Sequence, residues 1–110
     1  MKYLVTVRAT QPGFAALERD EYGFPVEGYM RLRMPVIRIV RAALGLGLRD
    51  AGEYVRARPV LETAAGVVEV KCLVGSAGLG ELFMLVQGGD PVGTEYEIVK
   101  AEPLGEGVIA

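Results

Sequence analysis

One change of hydrophobic period constrains this 110-residue chain more than any other feature. From Tyr29 to Met34 the residues alternate, with Met30, Leu32 and Met34 on one side and Tyr29, Arg31 and Arg33 on the other, as in a strand. At Pro35 the spacing becomes helical: Val36, Ile37, Val40, Ala43, Leu44 and Leu48 fall on one stripe, flanked by Ile39, Ala42 and Leu46. Pro35 suits the first turn, where its missing N–H would be unpaired anyway. Arg38, Arg41, Gly45 and Arg49 take the opposite side. Elsewhere the long segments read with period two. One helix among alternating segments predicts a single α+β domain over residues 1–110, with a mainly antiparallel, curved sheet of five or six strands packed around that helix, either open or closed like a barrel.

The remaining strands are expected at Lys2–Ala9, Glu53–Thr63, Val67–Val74, Glu81–Gln87 and Thr94–Glu102. Pro59 cannot donate to a ladder, which puts the second of these at an edge or on a bulge. Leu82 to Val86 is apolar on both faces, as a central strand is. Between Thr10 and Gly28 the period is lost, and a short helix over Phe14 to Asp20 is the only element that stretch suggests. A connection of that length is commonly functional or mobile.

The segment Gly75-Ser76-Ala77-Gly78-Leu79-Gly80 invites a phosphate-loop reading and fails it. A P-loop requires Lys and then Ser or Thr after its last glycine, where this chain has Glu81 and Leu82. A dinucleotide fingerprint requires a helix to follow, and Glu81–Gln87 reads as a buried strand. A serine-hydrolase elbow requires glycine two residues before Ser76, where Val74 stands. The expectation is a hairpin, with the glycines supplying positive φ where the chain reverses.

Absences narrow the chemistry further. The chain has no histidine, so a Ser-His or Cys-His nucleophile and a histidine metal site are excluded within it. Its single cysteine, Cys72, shares a strand face with Val68, Val70 and Val74 and is expected to be a buried, inert thiol with a raised pKa. No group of carboxylates has the density of a calcium loop. No catalytic residue, metal ligand or cofactor site is assigned. No apolar run is long enough to span a membrane, the N-terminus lacks the pattern of a signal peptide, and a lone cysteine suits the cytoplasm. Asn, Trp and His are absent and Arg outnumbers Lys nine to three, a bias of the kind found in heat-adapted proteins.

Charge is unevenly distributed. Residues 29–58 hold seven arginines against Asp50 and Glu53, whereas residues 59–110 hold two lysines against eight carboxylates. With apolar residues at 51% in so short a chain, more apolar surface exists than one small fold can hide. The first expectation is therefore a non-catalytic protein-binding or assembly module that self-associates as a dimer or higher homo-oligomer. Leu73, Phe83 and Leu85 are candidates for its interface. The alternative is an RNA, DNA or phosphate binder that uses Arg31, Arg33, Arg56 and Arg58 on neighbouring strands, with Tyr29 and Tyr54 as stacking platforms. An enzyme built on carboxylates and arginines, or a small-ligand binder, is a third class.

Overall fold

The computed structural model describes residues 1–12, 21–22, 33–57, 62–88 and 93–104. The described elements run β1 (Lys2–Thr10), α1 (Arg33–Leu44), α2 (Leu48–Ala57), β2 (Glu62–Ala64), β3 (Val67–Val74), α3 (Ser76–Gly88) and β4 (Glu95–Leu104). The strands form one sheet in the order β2-β3-β1-β4, and every neighbouring pair is antiparallel. It follows that β1 runs parallel to β2 and β3 parallel to β4. Each parallel pair is joined by a helical crossover and separated by one intervening strand. This is the double split β-α-β connectivity, also called ferredoxin-like.

The α+β class and the antiparallel sheet agree with the sequence reading; the sheet size and helix count do not. Four strands and three helices are described in place of five or six strands and one helix, and an open two-layer sheet replaces the barrel. The strands at 2–9, 67–74 and 94–102 lie within a residue or two of their expected bounds. Tyr29–Met34 is not a strand at its described end, because Arg33 and Met34 already belong to α1. Residues 29–32, the Phe14–Asp20 helix, most of the 10–28 connection and Pro59 lie outside the described residues.

Glu53–Thr63 divides into helix and strand. Leu48, Ala51 and Val55 recur at helical spacing, Asp50 sits in the first turn and Arg56 in the last, as the helix dipole favours. Reading the segment from Glu53 cuts that pattern in half and leaves only its alternating remainder visible.

The hairpin at Gly75–Gly80 is overturned. Gly75 closes β3 and its carbonyl accepts from the Leu79 N–H at 3.0 Å, so the chain turns directly into α3. None of Gly75, Gly78 and Gly80 has positive φ; among the described residues Gly45, Gly66 and Gly93 do. A short run apolar on all sides suits a buried helix as well as a strand, and length decides between them. Here the helix is 13 residues long. Gly78 serves another purpose: a Cβ there would collide with the Ala43 carbonyl oxygen. Only glycine lets the start of α3 approach the end of α1 that closely.

All three helices lie over one side of the sheet, where the core forms. Val5, Val7 and Ala9 of β1 are fully buried, and opposite them in register stand Cys72, Val70 and Val68 of β3. Helix α1 contributes Val36, Ile37, Ile39, Val40 and Ala43, and α3 contributes Leu82. Helix α2 packs on α1 and not on the sheet, through Ala51. In β4 the register shifts beside Thr6 and Val7, so Val99 has no partner in β1 and is exposed. The bulge lets Tyr96 and Ile98 face the helices while Lys100 and Glu102 face away.

Replacing Gly78 with Ala should destabilise the protein by about 1–3 kcal/mol, since backbone must move to admit the methyl. Gly80 has open space around its Cβ position. Gly80→Ala should therefore stabilise α3 by up to about 1 kcal/mol. Urea unfolding of the two variants beside the parent chain tests this, and equal effects of the two substitutions would refute the packing role of Gly78.

Candidate functional site

Two surfaces concentrate the charged side chains. The first is a groove between α1 and α2, a cavity of about 430 Å³, close in size to a second hollow of about 410 Å³ beside β4. Arg33, from the first turn of α1, reaches across it so that its Nη2 lies 3.4 Å from where a Gly52 Cβ would stand. Arg49 and Arg56 line the α2 side, one turn to either side of Glu53. The Arg49 Nε lies 3.7 Å from the Glu53 carboxylate, the helical i,i+4 pairing. Met34, Ile37 and Leu48 supply the apolar part of the lining.

Arg33 and Arg56 thus share one groove, although the strands expected to carry them are helices. Tyr54 is on α2 and half-buried against the core. Tyr29, Arg31 and Arg58 lie outside the described residues. The three apolar candidates separate. Leu73 faces the open side of the sheet, Phe83 stands exposed on α3, and Leu85 packs beside the core along the α1–α3 cleft. Leu73 and Phe83 are on opposite sides of the molecule because residues 82–86 form a helix over one sheet face instead of a strand within it.

The second surface is the face of the sheet over which no described element lies. Leu4, Thr6, Arg8 and Thr10 alternate along β1 with the buried Val5, Val7 and Ala9. Arg8 is central: its Nη2 and Nε donate to Glu69 Oε1 at 2.8 and 3.1 Å, and its Nη1 donates to Glu97 Oε2 at 3.4 Å. The hydrogen bond to Glu69 raises the pKa of the guanidinium. On β4 Lys100 hydrogen-bonds Glu102, which holds that carboxyl below its usual range. These are cross-strand and same-face pairs at a wet surface, which align strands more than they stabilise them. No pattern in the sequence marks them, because the pairing depends on which strands become neighbours.

Among the described residues no three His, Cys, Asp or Glu side chains gather as metal ligands do. Cys72 is 3% exposed, and burial raises its thiol pKa. Among the described residues no helix is long and apolar enough to cross a membrane.

Cys72 should alkylate with iodoacetamide far more slowly in the native protein than in denaturant. Because burial keeps the folded thiol protonated, stability is fully present below the ordinary thiol value of 9.0 and falls as pH rises past it toward the raised folded value. Equal labelling rates in the two states would show the thiol to be accessible.

No protein-family model, no curated protein and no solved structure matches the chain. The connectivity of the fold carries no function by itself, so function has to be read from these two surfaces.

Proposed function

We propose that the chain is a non-catalytic assembly module that pairs with a second copy of itself through the open face of its sheet. The order of charge on that face carries the reading. Directly paired residues form rows across β3, β1 and β4: Leu73–Leu4–Glu102, then Lys71–Thr6–Lys100, then Glu69–Arg8–Glu97, then Val67–Thr10–Glu95. A basic row lies beside an acidic one, between a mainly apolar end and a mixed end.

Such a face is complementary to itself. Consider a two-fold axis in the plane between two facing sheets, crossing the strands midway between the Thr6 and Arg8 rows. It sets Lys71 opposite Glu69 of the second copy and Lys100 opposite Glu97 of the second copy, and symmetry makes each pair twice. Leu73 then meets Val67 of the second copy and Leu4 meets Thr10. Stacked sheets lie about 10 Å apart, a gap that lysine and glutamate side chains reach across. The one opposed pair, Glu102 with Glu95, falls at a corner, where sheet twist separates the layers and Lys100 already holds Glu102. Charge order fixes the register of such a pair, and the apolar residues supply the burial.

The nucleic-acid alternative fits this face poorly. Sheets that bind RNA stack bases on exposed aromatic rings, and the aromatics of the described strands, Tyr3 and Tyr96, lie on the helix side. No observation favours the enzyme reading over the other two.

Sedimentation equilibrium at micromolar concentration should report a dimer. Lys71→Glu and Glu69→Lys should each weaken association by about tenfold or more, as opposed charges become like charges. A one-to-one mixture of the two variants should restore it, since every pair in the mixed dimer is again lysine with glutamate. A parent chain that is monomeric throughout, or a mixture no better than its components, would refute the interface.

A further inference from the structure

We infer that the groove between α1 and α2 binds an organic phosphate, with the phosphate held by Arg33 and Arg56 and an apolar body resting on Met34, Ile37 and Leu48. The charge count supports the anion. Three guanidiniums line the groove against one carboxylate, and of these three only Arg49 has a described carboxylate within ion-pairing distance. Arg33 and Arg56 are left with two positive charges and no acidic partner among the described residues, a match for one dianion. Guanidinium is the side chain suited to this contact, because its planar fork meets two phosphate oxygens at once.

The groove is also built in advance. Arg33 is half-buried and lies over Gly52, which is buried and has no side chain to push the guanidinium away. A Cβ at 52 would stand 3.4 Å from Nη2, in ordinary contact, so the space a longer side chain would take at 52 is the space the guanidinium occupies. The apolar lining distinguishes this groove from a bare cation cluster, since a purely inorganic ion makes no use of Met34, Ile37 and Leu48. The volume of about 430 Å³ lies within the range of small-molecule sites. The site does not depend on the dimer: among the described elements α2 packs on α1 alone, on the helix side and away from the open sheet face. Loss of binding and loss of association are therefore separate readouts.

Calorimetric titration of the full chain with phenyl phosphate tests the site, with inorganic phosphate, phenol and benzoate as comparison probes. Phenyl phosphate should saturate at one per chain and bind more tightly than each of the other three. Arg33→Met and Arg56→Met should each weaken it by about tenfold, the typical worth of a charge-assisted hydrogen bond. Gly52→Leu should do the same by displacing Arg33, with the fold of each variant checked by circular dichroism. Arg41→Met removes the same charge from α1 outside the groove and should leave the affinity within about twofold. Equal loss from Arg41→Met, or no saturable binding of phenyl phosphate, would overturn the assignment. Tighter binding of a short single-stranded RNA at the same residues would replace it with a nucleic-acid site.

Discussion

Strand β1 is the element on which everything else is registered. It pairs along its length with β3 on one side and β4 on the other, and its inward residues Val5, Val7 and Ala9 are sealed from water. A strand flanked on both sides and covered on one face has no freedom to slip, because a shift of one residue would exchange those three for Leu4, Thr6 and Arg8. Burying Arg8 without partners would cost several kcal/mol. The Arg8 bridge to Glu69 and Glu97 states the same register in polar terms, from the other face. The hydrophobic constraint dominates, since the bridge is exposed to water.

What the sequence made legible follows from how locally each element is specified. The alternation in Lys2–Ala9 and Val67–Val74 is visible because one face of those strands is dry and the other wet. Helix α1 is visible because its stripe is broad. Helix α3 is hidden by its own composition: with Leu79, Leu82, Leu85 and Val86 directed inward and Phe83 and Met84 outward, it has almost no polar face to reveal a period. Its glycines mislead for the same reason. Gly78 is there because the carbonyl of Ala43 passes close by, and a contact 35 residues away in sequence leaves no local trace.

The candidate site was legible in its residue types and not in its geometry. An excess of arginine in the middle of the chain is a matter of counting. That Arg33 and Arg56 would line one groove from two helices, in place of two strands, depended on α2, whose pattern is short and carries a glycine at its buried centre. The open sheet face was beyond reach altogether: its charge rows exist only once β3 and β4 have taken their places beside β1.

The central position of β1 also has a kinetic side. Arg8 and Glu97 are 89 positions apart in the chain, so one flank of the central strand is closed by a segment synthesised long after it. Contacts so distant are slow to form, because the entropy of the intervening loop is lost before they contribute. Until β4 arrives, β1 presents an unpaired row of N–H and C=O groups together with the apolar side chains of Val5 and Val7. A bare edge of that kind is a template for pairing with other chains. The bulge at Val99 then matters before the fold is complete as well as after. It gives β4 a kinked strand that fits β1 in one alignment, and a straight strand from elsewhere cannot reproduce it. Folding of this chain is therefore a competition between a late native partner and early foreign ones, decided at a single strand edge.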